Sequence, residues 1–181
     1  DDKEHFKNKL ELFVEVTRTN EEIHQHLFEI ERLILKSTQL DQMVKQLREA
    51  ITRRFHIPYV LLFLVDDADH YMEYKLGERF SNGLKGTLNF IDQAKANTWF
   101  AGKLKPVFHS EIKTPSDVFD KTWNTKNIRS GCIVPIINRG DVCGAIALGA
   151  TKSRHFHDGL RTEYLECMAE RLAIAIDNIL L

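Results

Sequence analysis

The run Ser130-Gly131-Cys132-Ile133-Val134-Pro135-Ile136-Ile137, the polar turn Asn138-Arg139-Gly140-Asp141, and the run Val142-Cys143-Gly144-Ala145-Ile146-Ala147-Leu148-Gly149 constrain the fold most. Two apolar runs of strand length on either side of a tight turn containing Gly form a β-hairpin. The 181 residues, 43% of them hydrophobic, are enough for a real core, which excludes disorder as the main state.

Helical patterns bracket this hairpin. From Phe6 to Ser37 there is neither Gly nor Pro, and apolar residues recur at helical spacing, predicting one long helix. Phe6, Phe13, Asn20, Leu27 and Ile34 are seven apart, and Val16, Ile23 and Ile30 fall three residues after the last members of that series. This is an a/d heptad stripe, with Lys9 and Ser37 at its outer d positions. Two Asn20 side chains facing each other at a central a position bond only in a parallel, in-register pair, so the stripe predicts a parallel homodimer. The competing reading packs the same stripe on the following domain, with Leu12, Val14 and Phe28 as a second apolar edge. Residues 1–37 are therefore assigned to a dimerisation helix and 38–181 to one domain.

Within that domain Leu40, Met43, Val44, Leu47 and Ile51 mark a second helix over Leu40–Phe55. Pro58 ends it, and Tyr59–Val65 is a β-branched and aromatic run closed by Asp66-Asp67-Ala68-Asp69, a central strand and its turn. Shorter strands are predicted over Met72–Leu76, Thr87–Phe90 and Lys105–His109. A helix is predicted over Asp92–Ala101, and a helical turn over Ser116–Phe119 with Ser116 as N-cap. From Gly159 the stripe Tyr164, Leu165, Met168, Leu172, Ile176 and Ile179, with Ala169 and Ala173, predicts a closing helix. No breaker ends it, which predicts helical continuation beyond Leu181, and a chain opening on Asp1 predicts a fragment of a longer one. The order makes the fold α+β, mostly antiparallel.

The stretch SGCIVPIINRGDVCGAIALGATKSRHFHDGLRTEYLECMAERLAIAIDN resembles the C-terminal half of a GAF domain: a VPI strand, a polar turn, a GAIALG strand and a closing helix. With the long first helix, WFAGKLKPVF and RHFHDGLRTEYL, the chain looks most like a bacterial GAF-like subfamily of unknown function. The resemblance implies a central antiparallel sheet of about six strands with flanking helices behind it and a ligand pocket on the other face. GAF-like domains bind cyclic nucleotides, bilins, haem, amino acids or nothing known, and most serve as sensors or dimerisation modules joined to an output. Fold alone does not assign function. If the sheet face is lined as in GAF relatives, Tyr59 or Phe63, Phe90, Trp99, Phe108, Trp123 and Ile133 or Cys132 surround the ligand. Arg129 and Ser130 stand nearest a polar or anionic group, and His109 offers a ligand or hydrogen bond.

Sharper functions find little support. The cyclic-nucleotide Asn-Lys motif has no counterpart beyond Asn8-Lys9, and no Cys precedes a His as bilin attachment commonly requires. Free methionine sulfoxide reductase, an enzyme similar to GAF domains, needs a thiol ahead of the VPI strand, where this chain has TWNTKNIRSG. A thiol reductase working through Cys132 or Cys143 is the enzymatic alternative, and a ligandless scaffold is a third; small buried hydrophobes are the favoured reading of Cys132, Cys143 and Cys167. His24 and His26 point to different sides of a helix, and His155-Phe156-His157 has no third ligand indicated. There is no GxSxG, Walker loop, GxGxxG or calcium loop. A net charge of −1 provides no global attraction for nucleic acid, and Lys126, Arg129, Arg139, Lys152, Arg154 and Arg161 lack interleaved aromatics. With no apolar run of membrane length, no signal-like leader and three cysteines without a CxxC, the expectation is a cytoplasmic, non-enzymatic sensory module. It homodimerises through the first helix, binds an unidentified small molecule and feeds a downstream output domain.

Overall fold

A computed structural model describes residues 1–79, 88–114, 127–156 and 163–180. The side chains of 15–20, 23, 77–79, 164 and 180 are outside this description, as are Trp123 and the turn predicted over Ser116–Phe119. The elements run α1 (Asp2–Lys36), α2 (Leu40–Phe55), β1 (Tyr59–Val65), α3 (Tyr71–Arg79), β2 (Leu88–Ile91), α4 (Gln93–Phe100), β3 (Val107–His109), β4 (Ser130–Asn138), β5 (Asp141–Ala150) and α5 (Glu163–Leu180).

The hairpin is the centre of the sheet. Arg139 and Gly140 both take positive φ, 53° and 83°, the two-residue geometry whose twist matches paired strands. Asn138 then pairs with Asp141, and the ladder continues to Ser130 opposite Ala150, shifted once between Ile136 and Ile137. β1 joins the far side of β5 antiparallel, β3 joins β4 antiparallel, and β2 lies parallel to β1. The order is β2-β1-β5-β4-β3, five strands among the described residues where about six were expected.

Alternation along the strands divides the core in two. Val60, Leu62 and Leu64 of β1, Cys132, Val134 and Ile136 of β4, and Ile146 and Leu148 of β5 face a helical layer of α1, α2 and α5. Leu61, Phe63, Ile133, Ala145 and Ala147 face the other way, under Ala96 and Phe100 of α4. Met43, Val44, Leu47 and Ile51 of α2 and Met168, Leu172 and Ile176 of α5 are buried, as their spacing predicts. Asp92 caps α4 by accepting from the Lys95 amide at 2.7 Å.

The strand expected over Met72–Leu76 is a helix. Asp66, 7% exposed, accepts from the amides of Asp67 and Met72 at Oδ1 and of Glu73 at Oδ2. Asp67 accepts from those of Asp69 and Tyr71. Two carboxylates thus meet most of the donors that a helix N-terminus leaves open, and the segment coils where its short apolar pattern reads as extended.

The heptad stripe of α1 divides at its middle. Leu27, Ile30 and Ile34 are core of their own chain, where α1 packs on α2 and α5. Arg54 of α2 pairs with Glu29 and donates to His26 Nδ1 at 3.2 Å, and Glu31 lies 3.7 Å from Arg171 of α5. Ahead of this, Phe6, Leu10, Leu12 and Val14 are each more than half exposed. The side chains of Val16, Asn20 and Ile23 fall outside the description.

β1 and β5 approach closely at Gly144, where an added Cβ would stand 2.5 Å from the Phe63 carbonyl oxygen and 3.3 Å from Leu64 and Ile136 side chains. Gly144→Ala is expected to cost about 1–3 kcal/mol through displaced backbone. Urea unfolding of the variant beside the parent, with unchanged m-value, checks this.

Candidate functional site

The outer face of the sheet, away from the long helices, is built in rows. At one end the registers align His109 with Gly131, Gly131 with Gly149, and Gly149 with Tyr59. Strands lie about 4.8 Å apart, so the imidazole- and phenol-bearing residues are about 14 Å apart across two glycines. The floor between them is backbone. The next row is Val107, Ile133, Ala147 and Leu61, and the third is Pro135, Ala145, Phe63 and Asn89. The small residues of these rows, Gly149, Ala147 and Ala145, thus run along β5, joined at the first row by Gly131 of β4. Phe63 is fully buried and meets Trp99 edge to face, with centroids 4.9 Å apart. The Lys95 ammonium lies 5.6 Å from the Trp99 ring centre.

Of the expected ligand residues, Tyr59, Phe63, Trp99 and His109 share this face. Phe90, Phe108 and Cys132 point into the helical core on the opposite side, because they lie one residue out of phase with Ile91, Val107 and Ile133. Ser130 is on that side too, fully buried. Its hydroxyl donates to the Lys152 carbonyl at 2.6 Å and accepts from the Phe156 amide at 3.3 Å, tying the segment after β5 to the start of β4. The Arg129 side chain is exposed, while its backbone bonds Ala150 and Ile112. Asn89 was not foreseen: on the Phe63 row, its buried Nδ2 has no hydrogen-bond partner among the described residues. Its one signal was a lone amide in an apolar run.

Burial pushes the His109 imidazole below its usual 6.5, so the folded state favours a neutral ring able to donate from one nitrogen and accept at the other. Burial also pushes the Cys132 thiol up to about 12. Cys143 rises to about 11, by burial and then by the Asp177 carboxylate, although its backbone hydrogen bond acts the other way. Neither thiol is poised as a nucleophile.

Asp66, His70 and Glu73 each bring a ligand atom within 4.8 Å of the others. The Asp66 oxygens already accept three backbone amides, two of them from the first turn of α3, and this capping accounts for their placement. This cluster is a helix cap. His155 packs on Phe156, and His157 lies outside the described residues.

Iodoacetamide at neutral pH is expected to modify exposed Cys167 at least tenfold faster than Cys132 and Cys143, as peptide mass mapping would show. Below the thiol's reference value of 9.0 both folded and unfolded chains keep these protons. Above it the unfolded chain ionises first, so the contribution of the two buried thiols to stability falls as pH rises. Denaturation midpoints of Cys132→Ala and Cys143→Ala proteins, compared with the parent across pH 9.0 and above, read out that loss.

Among solved structures the chain is similar to free methionine-R-sulfoxide reductase from Neisseria meningitidis, with TM-score 0.61 at 16% identity over 87% of this chain and 89% of that one. It is also similar to the GAF domain of a phosphoenolpyruvate-protein phosphotransferase from Coxiella burnetii, with TM-score 0.57 at 12% identity over 86% and 92%. A GAF domain from Pseudomonas syringae pv. tomato gives 0.56 at 14% identity over 91% and 93%. At these identities the likeness shows a GAF-like fold alone. No curated protein matches the chain. A family model matches residues 1–178, nearly the whole length, and by that match the chain belongs to the family described as "Protein of unknown function, DUF484".

Proposed function

We propose that the chain is a non-enzymatic sensory module, in which a small molecule bound on the outer sheet face alters the packing of α1 and α5 within a homodimer. The observation that carries this reading is the divided helix α1. Its second half is embedded in the core through Leu27, Ile30 and Ile34, and its first half presents Phe6, Leu10, Leu12 and Val14 to solvent. A 35-residue helix is about 50 Å long, and this one joins the domain core to a run of exposed apolar residues, which supports a partner surface there.

The same geometry limits where a second copy would fit. From Leu27 onward the a/d stripe is occupied by α2 and α5, so it faces a second copy only ahead of that point. A neighbouring line, Leu10, Val14, Phe28 and Leu35, is exposed along the helix, with Phe28 and Leu35 at 60% and 63%. We assign the partner copy to the first half of the a/d stripe, continuing along this line where the domain blocks the stripe.

Strand sharing supports coupling between ligand and helices. Ile133 lines the outer face while Cys132 and Val134 touch the helical core, and Leu61 and Phe63 alternate with Leu62 and Leu64. A ligand that binds two strand positions with different affinity shifts the helices by that difference. The likeness to GAF domains that are parts of larger proteins supports a downstream output domain. The reductase alternative draws on its solved neighbour, whereas the high thiol values of Cys132 and Cys143 favour the binding module.

Native mass spectrometry of the purified chain, compared with its denatured mass, is expected to show a dimer carrying additional noncovalent mass. Leu10→Glu with Val14→Glu should give monomers with unchanged far-ultraviolet circular dichroism, raising the dimer dissociation constant at least a hundredfold. A monomeric parent, or a variant as dimeric as the parent, would refute the assigned interface. Methionine sulfoxide turnover that is lost on Cys132→Ser or Cys143→Ser would establish the enzyme instead.

A further inference from the structure

β3 is short. It pairs with β4 only from Gly131 to Ile133, so the remainder of β4 runs on at the sheet edge without a strand neighbour on that side among the described residues. Beside this stretch lies a cleft of about 370 Å³, lined by Pro135 and Ile137 of β4, Leu104 of the α4–β3 connection, and Glu166 and Glu170 of α5. It is a different place from the outer-face row of His109 and Tyr59.

Its lining has two parts. Leu104, Pro135 and Ile137 form an apolar wall, and Pro135 brings no amide hydrogen to that wall. Glu166 and Glu170 are four residues apart, one turn of α5, so their carboxylates stand over the same wall from one helix face. Among the described residues no hydrogen bond or ion pair engages either carboxylate, and none of those lining the cleft is basic. Lys103 and Lys105 flank Leu104 in the chain, exposed and outside the lining. The volume is at the lower end of the range of about 300–1,000 Å³ for small-molecule sites.

We propose that this cleft binds a small organic cation: an amine or guanidine whose apolar body lies on Leu104, Pro135 and Ile137 and whose charged head is shared by Glu166 and Glu170. A bare metal ion would gain nothing from the apolar wall, and an anion would meet two like charges. A cation with an apolar stem satisfies both parts at once, because charge-assisted hydrogen bonds form where the stem excludes water. Such a ligand would bridge α5 to the edge of β4 and to the segment leading into β3.

The test is a titration of the full chain with phenethylammonium chloride at constant ionic strength, followed by methyl and backbone NMR. The expected result is saturable shifts at Leu104 and Ile137, with phenethyl alcohol binding at least tenfold more weakly. Glu166→Gln combined with Glu170→Gln should weaken the cation about tenfold or more, while Glu163→Gln, on the same helix outside the cleft, should leave it unchanged. Leu104→Trp provides a second variant that fills the cleft from an exposed connection and should abolish binding. Equal affinity for the alcohol, undiminished affinity in a folded double variant or in Leu104→Trp, shifts confined to other residues, or no saturable binding up to the solubility limit would each overturn the proposal.

Discussion

β5 lies between β1 and β4, hydrogen-bonded along both edges and buried on both faces. A strand in that position leaves no side for water, so each face of the sheet needs its own covering and the chain must divide its apolar residues between two cores. One core takes three helices; the other takes α4. The close approach of β1 to β5 at Gly144 belongs to the same constraint, since a side chain there would push against the Phe63 backbone. The topology follows: the helices at the two ends of the chain share one face, leaving the other to shorter elements.

Polar groups taken into this structure are placed where the chain leaves the sheet. Asp66 ends β1 and starts α3; Ser130 starts β4 and holds the segment after β5; Asn138, at the hairpin turn, donates to Asp177 of α5 at 2.9 and 3.1 Å. Asp66 and Ser130 satisfy backbone groups that would otherwise be desolvated, which gives the buried Ser130 hydroxyl a structural role. Asn89 differs, for its buried amide nitrogen has no partner among the described residues. It stands on the face that also carries His109 and Tyr59, where a ligand acceptor would relieve it.

Much of the fold is legible as local periodicity. α1, α2 and α5 follow from apolar spacing, the helix over Asp92–Ala101 reappears as α4, and the β4–β5 hairpin follows from two runs around Arg139-Gly140. Those signals are complete within a few residues. The α3 segment defeats the same approach because its apolar pattern is short, and the capping carboxylates of Asp66 and Asp67 outweigh it only when their geometry is known. The parallel pairing of β2 with β1 is equally silent in the sequence, since a short strand carries no mark of its direction.

The candidate site separates the two kinds of information most clearly. Residue identity alone determined that aromatic, small and imidazole-bearing residues cluster in the strand segments, and that the first helix carries a heptad stripe. Tertiary structure decided which of them share a face. A shift of one position sends a side chain through the sheet, so Phe63 and His109 remain on the outer face while Phe90, Phe108, Cys132 and Ser130 go to the helical core. It likewise decided that Leu27, Ile30 and Ile34 are spent within their own domain while Phe6, Leu10 and Val14 are left outside it. Periodicity specifies that a helix face is apolar; only the packing of distant elements specifies what covers it.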